Sequence, residues 1–339
     1  MVKNALHAYA DDISTWQAGT CWQKMKIELE HISKTLQVYL AYKGLKINAI
    51  KCQLAVFGKQ FLTDVQNSDL LSIDFLGMTI IEKSEFKLLG VTIDNKLSFS
   101  THISNTVAKC LRNLAFLWRT AAGFKFEHRK MLACAIVCTH LDYCSSVYHL
   151  FLSKHDSKKI ESALYKIMRF ICASKRSEYT PAHVFRQKLH WDTACHRRLC
   201  KLMSITWSAV YSESSPKYMD CLIKHHSVYN TRFQSRSQSY NNKFSRMTLN
   251  FFFCDKFIKL PRLVLNSHSV ELFKQRLKAV KLVIFHVGCP FCPHRRSCGY
   301  PCIFKIIAYL FCYIFIFQHV YHICVWKFNS YAFERLYGK

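Results

Sequence analysis

The chain has 339 residues, room for roughly two or three domains. Half of them are hydrophobic and a fifth are charged, a balance that excludes wholesale disorder. The formal net charge is +27 and unevenly placed: residues 1–95 hold ten basic and ten acidic side chains, residues 96–282 hold 32 against 10, and residues 283–339 hold six against one. A neutral first part followed by a strongly basic middle points to a polyanionic partner for the middle.

The first short runs, Leu6-His7-Ala8 and Ile13-Ser14-Thr15-Trp16, read as strands flanking Tyr9-Ala10-Asp11-Asp12. Two adjacent aspartates at a hairpin tip repel unless a cation sits beside them, and Mg²⁺ with its preference for carboxylate oxygens is one answer. An Asx-type turn is the other. From Gly19 to Tyr42 the residues Trp22, Met25, Leu29, Ile32, Leu36 and Tyr39 fall at alternating steps of three and four, which predicts an amphipathic helix. Gly44 follows where a left-handed residue ends a helix, with Lys43 suited to the helix dipole.

Leu54–Phe57, Ile73–Ile80 and Phe86–Ile93 are rich in β-branched and aromatic residues and read as strands, with a turn cluster at Gln66-Asn67-Ser68-Asp69. From Leu97 the period changes. Ile103, Val107, Cys110, Leu114, Leu117 and Ala121 form a helical stripe closed by Gly123, and further helices are expected near 127–150, 156–173 and 181–211. Residues 226–250 place Arg232, Arg236, Lys243 and Arg246 among Tyr229, Phe233, Tyr240 and Phe244. That pattern suits either phosphate binding with base stacking or a solvated loop.

The 17 cysteines are scattered through helical segments, as at Cys110, Cys134, Cys138, Cys172 and Cys200, which suits reduced thiols and not a disulfide framework. Lys3, Asn4 and Asp11 precede any apolar run, so no secretory leader is expected and the address expected is intracellular, nucleus or cytoplasm.

The order Tyr9-Ala10-Asp11-Asp12, a helix, Gly44-Leu45-Lys46-Ile47-Asn48 with Lys51, Leu54-Ala55-Val56-Phe57-Gly58 and Lys87-Leu88-Leu89-Gly90-Val91-Thr92-Ile93-Asp94 resembles the palm of a reverse transcriptase. It is similar in particular to the jockey or LINE type of retrotransposons without long terminal repeats, from the Tyr-x-Asp-Asp motif onward. Leu141-Asp142-Tyr143-Cys144, Tyr229-Asn230-Thr231-Arg232 and the segment Ser269–Lys278 resemble downstream parts of the same elements, so the resemblance covers residues 1–282.

The resemblance implies an α+β fold: a partial palm with a small antiparallel sheet and a helix over 1–95, then a mainly helical thumb-like region over 96–225 and a basic extension over 226–282. It implies RNA-directed DNA polymerisation with two Mg²⁺ ions, an RNA template and a DNA primer. Asp11 and Asp12 are then metal ligands, and Tyr9 and Ala10 lie by the nucleotide or template. Lys51 serves the departing pyrophosphate, and Phe86, Leu88, Leu89 and Gly90 form the hairpin at the primer end. Arg232 and Arg236 meet nucleic acid. A complete family site also takes an aspartate from an earlier strand. Only ten residues precede Asp11 and none is acidic, so the expectation is a truncated back half, inactive alone, whose partner would be the complementary upstream half. The alternative is a non-catalytic basic nucleic-acid-binding module.

Residues 283–339 fall outside the resemblance. Cys289, Cys292, Cys298 and Cys302, with His294 among them, are thiols enough for a zinc site, but their spacing matches no common finger. Ile306–Trp326 holds no charge and as a helix would span ~31 Å, about one bilayer core. A non-coding tail that packs poorly is the other reading. The tail is expected to make few contacts with the rest.

Overall fold

The computed structural model describes residues 5–9, 12–121, 123–175, 177–212, 257, 260–279 and 323–331. They form an α+β protein of small antiparallel sheets and many helices, divided into two compact units. The first unit takes its described residues from 5–98 and 323–331, the second from 99–279.

In the first unit, β1 (Ala5–Tyr9) and β2 (Asp12–Ala18) form an antiparallel hairpin. Helix α1 (Trp22–Tyr42) then leads to β3 (Lys46–Ile47), a 3₁₀ turn at Ala49–Lys51, and β4 (Gln53–Phe57). Hairpins β5–β6 (Ser72–Phe75, Met78–Ile81) and β7–β8 (Glu85–Leu88, Val91–Asp94) follow.

The remaining strand comes from the far end of the sequence. β9 (Ile323–Tyr331) pairs antiparallel with β2 along one edge and with β3 and β4 along the other. Since β2 and β4 both run antiparallel to β9, they are parallel to each other, and α1 is the crossover between them. Without β9 each would present a row of unpaired backbone N–H and C=O groups to the gap. This corrects the expectation that the tail makes few contacts. Of the uncharged run 306–326, residues 306–322 lie outside the described residues, and Ile323, Cys324, Val325 and Trp326 are strand. An uncharged apolar run suits a buried strand as well as a helix, and periodicity does not separate them. Cys289, Cys292, Cys298 and Cys302 lie outside the described residues. No helix among the described residues is long and apolar enough to cross a membrane.

Helix α1 buries Trp22, Met25, Leu29, Ser33, Leu36 and Leu40. The expected face ran through Ile32 and Tyr39, but Tyr39 is exposed. A period of 3.6 carries the stripe from Leu29 to Ser33 and Leu40, and the Ser33 hydroxyl donates to the Glu30 carbonyl at 2.6 Å, which allows its burial. The face packs with Ile13, Ile47, Leu54, Val56, Ile73 and Phe75 in one core. The helix ends as its sequence suggests: Gly44 has φ +72°, and its N–H and that of Leu45 donate to Ala41 and Leu40 at 2.9 and 2.8 Å, a Schellman closure. Its start is capped from a distance. Cys21 offers no side-chain cap, and Asp64 instead accepts from the Trp22 and Gln23 N–H groups at 2.6 and 2.8 Å. Desolvation would raise the Asp64 pKa, but those bonds and the Cys21 thiol outweigh it and hold the carboxyl below its ordinary value.

Ile73–Ile80, read as one strand, is a hairpin, and so is Phe86–Ile93, where the strand-like composition alone gives one strand and the resemblance implies a hairpin. Leu76-Gly77 and Leu89-Gly90 form their two-residue turns, with φ positive at all four residues. Leucine at positive φ is sterically strained, so packing on either side, not the turn residue, sets these loops.

The second unit is helical among its described residues. Helix α2 (Ser100–Thr120) lies against α6 (Lys154–Ile171). Between them run α3 (Phe126–Leu132), a π-helical turn (Ala133–Cys138), α4 (Thr139–Asp142) and α5 (Ser145–Tyr148). Then follow α7 (Ala182–Leu189), α8 (Ala194–Tyr211), α9 (Arg262–Leu265) and α10 (Val270–Ala279). The helices expected over 127–150 and 181–211 are broken at Cys144 and His190, both with positive φ. After the second break Thr193 caps α8 through the His196 N–H. Asp156, 1% exposed, joins two helix starts by accepting from Ser153 at 2.6 Å and Ser100 at 2.7 Å.

Arg198, 2% exposed, has no carboxylate among its described contacts; its nearest polar partners are His149 Nδ1 at 3.4 Å and Ser157 Oγ at 3.5 Å. Desolvation first, and the Arg198 charge second, push the His149 pKa down to about 3.

Two outcomes follow from this architecture. Deleting residues 323–331 leaves the β2 and β4 amides open to hydrogen exchange while α6 stays protected; equal protection with and without the strand would show that it adds nothing. In the second unit, the unfolded chain protonates His149 before the folded one does. Stability is therefore full above the unfolded value near 6.5 and falls with pH below it, by at most about 1.4 kcal/mol per pH unit from this residue. Chemical denaturation of wild type and His149→Gln across pH 4–8 should show the shallower acid slope in the variant.

Candidate metal and nucleic-acid site

The β1–β2 register ends on the pair Tyr9 and Asp12, so Ala10 and Asp11 alone connect the strands. Those two lie outside the described residues. Tyr9 is 69% exposed, with its ring available to a partner, and Asp12 is half-buried at the start of β2. Across the sheet Asp12 faces Asn329 of β9, while Ile47 of β3 pairs with Ser330 and Gln53 of β4 with Lys327.

That register locates Lys51. Its 3₁₀ turn bulges from the sheet between Ile47 and Gln53, beside the β9 positions that pair with Ile13 and Asp12 on the other edge. Two strand spacings separate the two edges, about 10 Å. Tyr9, Asp12 and the Lys51 turn thus share one end of the sheet, although α1 and β3 intervene in sequence. Asn48 shapes the turn by accepting from the Ile50 N–H at 3.2 Å.

The other candidate positions are distributed differently. Phe86 and Leu88 are buried, and Phe86 packs edge-on against Phe57 of β4 at 6.1 Å, which ties the hairpin to the sheet. Leu89 and Gly90 form its tip. Arg232 and Arg236 lie outside the described residues.

Carboxylate oxygen is the right donor for Mg²⁺. Among the described residues no group of three or more His, Cys, Asp and Glu side chains could hold a metal ion. β9 brings no carboxylate beside Asp12, because Ile323–Tyr331 contains neither Asp nor Glu. The hairpin pair suits one loosely held ion in donor type, and the second edge of a two-ion site has no carboxylate in β9.

A cationic and aromatic cluster in the second unit was not anticipated from sequence. Lys130 of α3 and Lys188 of α7 each set an ammonium over the Phe126 ring, 5.9 and 5.7 Å from its centre. Lys125 and Phe124, both exposed, adjoin it. The i, i+4 pair Phe126 and Lys130 is visible in sequence; the approach of Lys188 from another helix is not.

No family model matches the chain, and no solved structure does. Two curated proteins do. One is a probable RNA-directed DNA polymerase from transposon BS of Drosophila melanogaster, 24% identical over 229 residues, which are 67% of this chain and 23% of that protein. The other is an RNA-directed DNA polymerase from mobile element jockey of Drosophila funebris, 26% identical over 153 residues, 44% of this chain and 16% of that protein. The chain is therefore similar to the reverse transcriptases of non-LTR retrotransposons. Within that class the similarity is to the jockey-like kind. The chain spans less than a quarter of the length of the curated relatives it matches.

If the Lys130–Phe126–Lys188 cluster meets phosphate, Lys130→Ala with Lys188→Ala should weaken binding to a primed RNA template. It should also flatten the dependence of log affinity on log salt by about one for each phosphate that the variant no longer neutralises. Fluorescence anisotropy at several salt concentrations measures both; an unchanged slope would place the nucleic acid elsewhere.

Proposed function

We propose that this chain is the palm and thumb-like part of a retrotransposon RNA-directed DNA polymerase, and that its partners are an RNA template and a DNA primer. The observation that supports this most is the similarity to two retrotransposon polymerases, which for the first covers two thirds of the chain. The shared sheet end of Tyr9, Asp12 and the Lys51 turn agrees with it.

In this reading Asp11 and Asp12 hold Mg²⁺, which when bound lowers the pKa of the primer 3′-hydroxyl and offsets charge on the phosphate. Tyr9 gives a stacking face to a base, and Ala10 lets the backbone approach. Lys51 offsets the growing charge of the departing pyrophosphate. The Leu89-Gly90 tip, set by Phe86 and Leu88 in the core, meets the primer end, and Arg232 and Arg236 meet the nucleic-acid backbone. The protein works inside the cell, in nucleus or cytoplasm.

Residues 1–339 by themselves bind nucleic acid but do not polymerise. With ions ~3.5–4 Å apart, two-metal chemistry needs carboxylates from a second strand, and the strands paired with β2 at Asp12 set Tyr9 of β1 and Asn329 of β9 opposite it. An upstream polymerase half supplies that strand. A non-catalytic binding module is the second reading, favoured by the 32 basic against 10 acidic residues of 96–282.

Primer extension separates the outcomes. The 339-residue chain should retain a primed template at low salt, release it as salt rises, and add no nucleotide. Extension by the wild type that vanishes with Asp11→Ala and Asp12→Ala would show a complete site within these residues and overturn the inactive-alone reading.

A further inference from the structure

The second unit contains a pair of thiols that nothing in polymerisation uses. Cys134 and Cys138 lie four residues apart in the π-helical turn Ala133–Cys138. Cys134 is exposed and Cys138 is 3% exposed beneath it. In a π turn the backbone bonds close at i+5, so residues four apart stack close to one line along the axis. The two thiols are near enough along the turn for each to shift the other's acidity.

We propose that Cys134 and Cys138 are an oxidisable dithiol, a modification site in which Cys134 reacts with a hydroperoxide and Cys138 closes the disulfide. The Cys134 thiolate attacks the peroxide, forming an S–O bond as the O–O bond breaks; the departing hydroxide takes up a proton and leaves as water. The Cys138 sulfur then attacks the sulfenic sulfur. The S–S bond forms, the S–O bond breaks, and the hydroxyl leaves as a second water with the Cys138 proton. Two thiols lose two electrons and one hydrogen peroxide becomes two waters.

The surroundings favour this assignment of roles. The neighbouring Cys138 S–H, a donor toward the thiolate, lowers the Cys134 pKa; desolvation works against this, and the Arg197 and Lys130 charges add to the lowering, to about 6. Asp142 opposes them, but its carboxylate is held by Arg197 at 2.6 Å and Lys201 at 3.3 Å. The same pairing and its burial push the Cys138 thiol up, so it waits as the resolving partner.

The test uses the full chain and mass mapping of the tryptic segment 131–154, which contains Cys134, Cys138 and Cys144. After brief hydrogen peroxide treatment that segment should lose two hydrogens, with fragmentation placing the bond between Cys134 and Cys138. Cys138→Ser should instead leave a Cys134 adduct with dimedone, and Cys134→Ser should give neither product. A measurement that needs no variant is alkylation of the untreated chain at pH 7, in which Cys134 should react about tenfold faster than Cys144. Equal alkylation of the two, or a dimedone adduct on wild-type Cys134 that persists without disulfide, would overturn the proposal.

Discussion

The first unit depends on a backbone hydrogen-bond requirement that its own neighbouring sequence does not meet. β2 and β4 run parallel on either side of a gap one strand wide, and α1 covers the sheet while joining them. β9 meets that requirement on both edges at once. The buried state of Leu54 and Val56 on β4 and of Ile13 on β2 presupposes a continuous sheet beneath α1. The placement of Asp12 relative to the Lys51 turn does too, since β9 is the ruler between them.

Charge divides the chain in a second way. The first part balances its charges and uses carboxylates to accept from backbone N–H groups: Asp64 caps α1, and Asp94 holds the turn after β8 by accepting from the Lys96 and Ser98 N–H groups at 3.0 Å. The second unit has few carboxylates to use this way, and one of them, Asp156, is fully committed to joining α2 and α6. A guanidinium such as Arg198 is then left inside against a neutral imidazole. A basic surface and an interior short of anions are two results of one composition.

Local elements are readable wherever a local cause sets them. The α1 stripe, its Gly44 stop and the switch to helical period near Leu97 each follow from spacing within a few residues. The choice of Ile32 and Tyr39 over Ser33 and Leu40 fails because the apolar residues mark only part of a face that drifts with the 3.6 period. The hairpins at Leu76-Gly77 and Leu89-Gly90 lack the Asn or Asp that signals such turns. What sequence cannot show is what distant segments do: Asp64 capping a helix some forty residues earlier, Lys188 over Phe126, and β9 entering the sheet. The Tyr9–Asp12 pair and Lys51 are named from motif order alone, and only strand register puts them at one end.

The insertion of the second unit between β8 and β9 sets a timetable. A ribosome releases β1–β8 before the helical unit, yet β9, the strand their sheet needs, emerges only after that unit has been made. Synthesis at about 5–20 residues per second leaves the β2 and β4 edges uncovered for roughly ten seconds or more. The helical unit, contiguous in sequence and built on local pairings, has time to fold within that interval. Throughout it, the half-built sheet is a template open to any extended segment nearby, and β9 must reach its place before a competitor does.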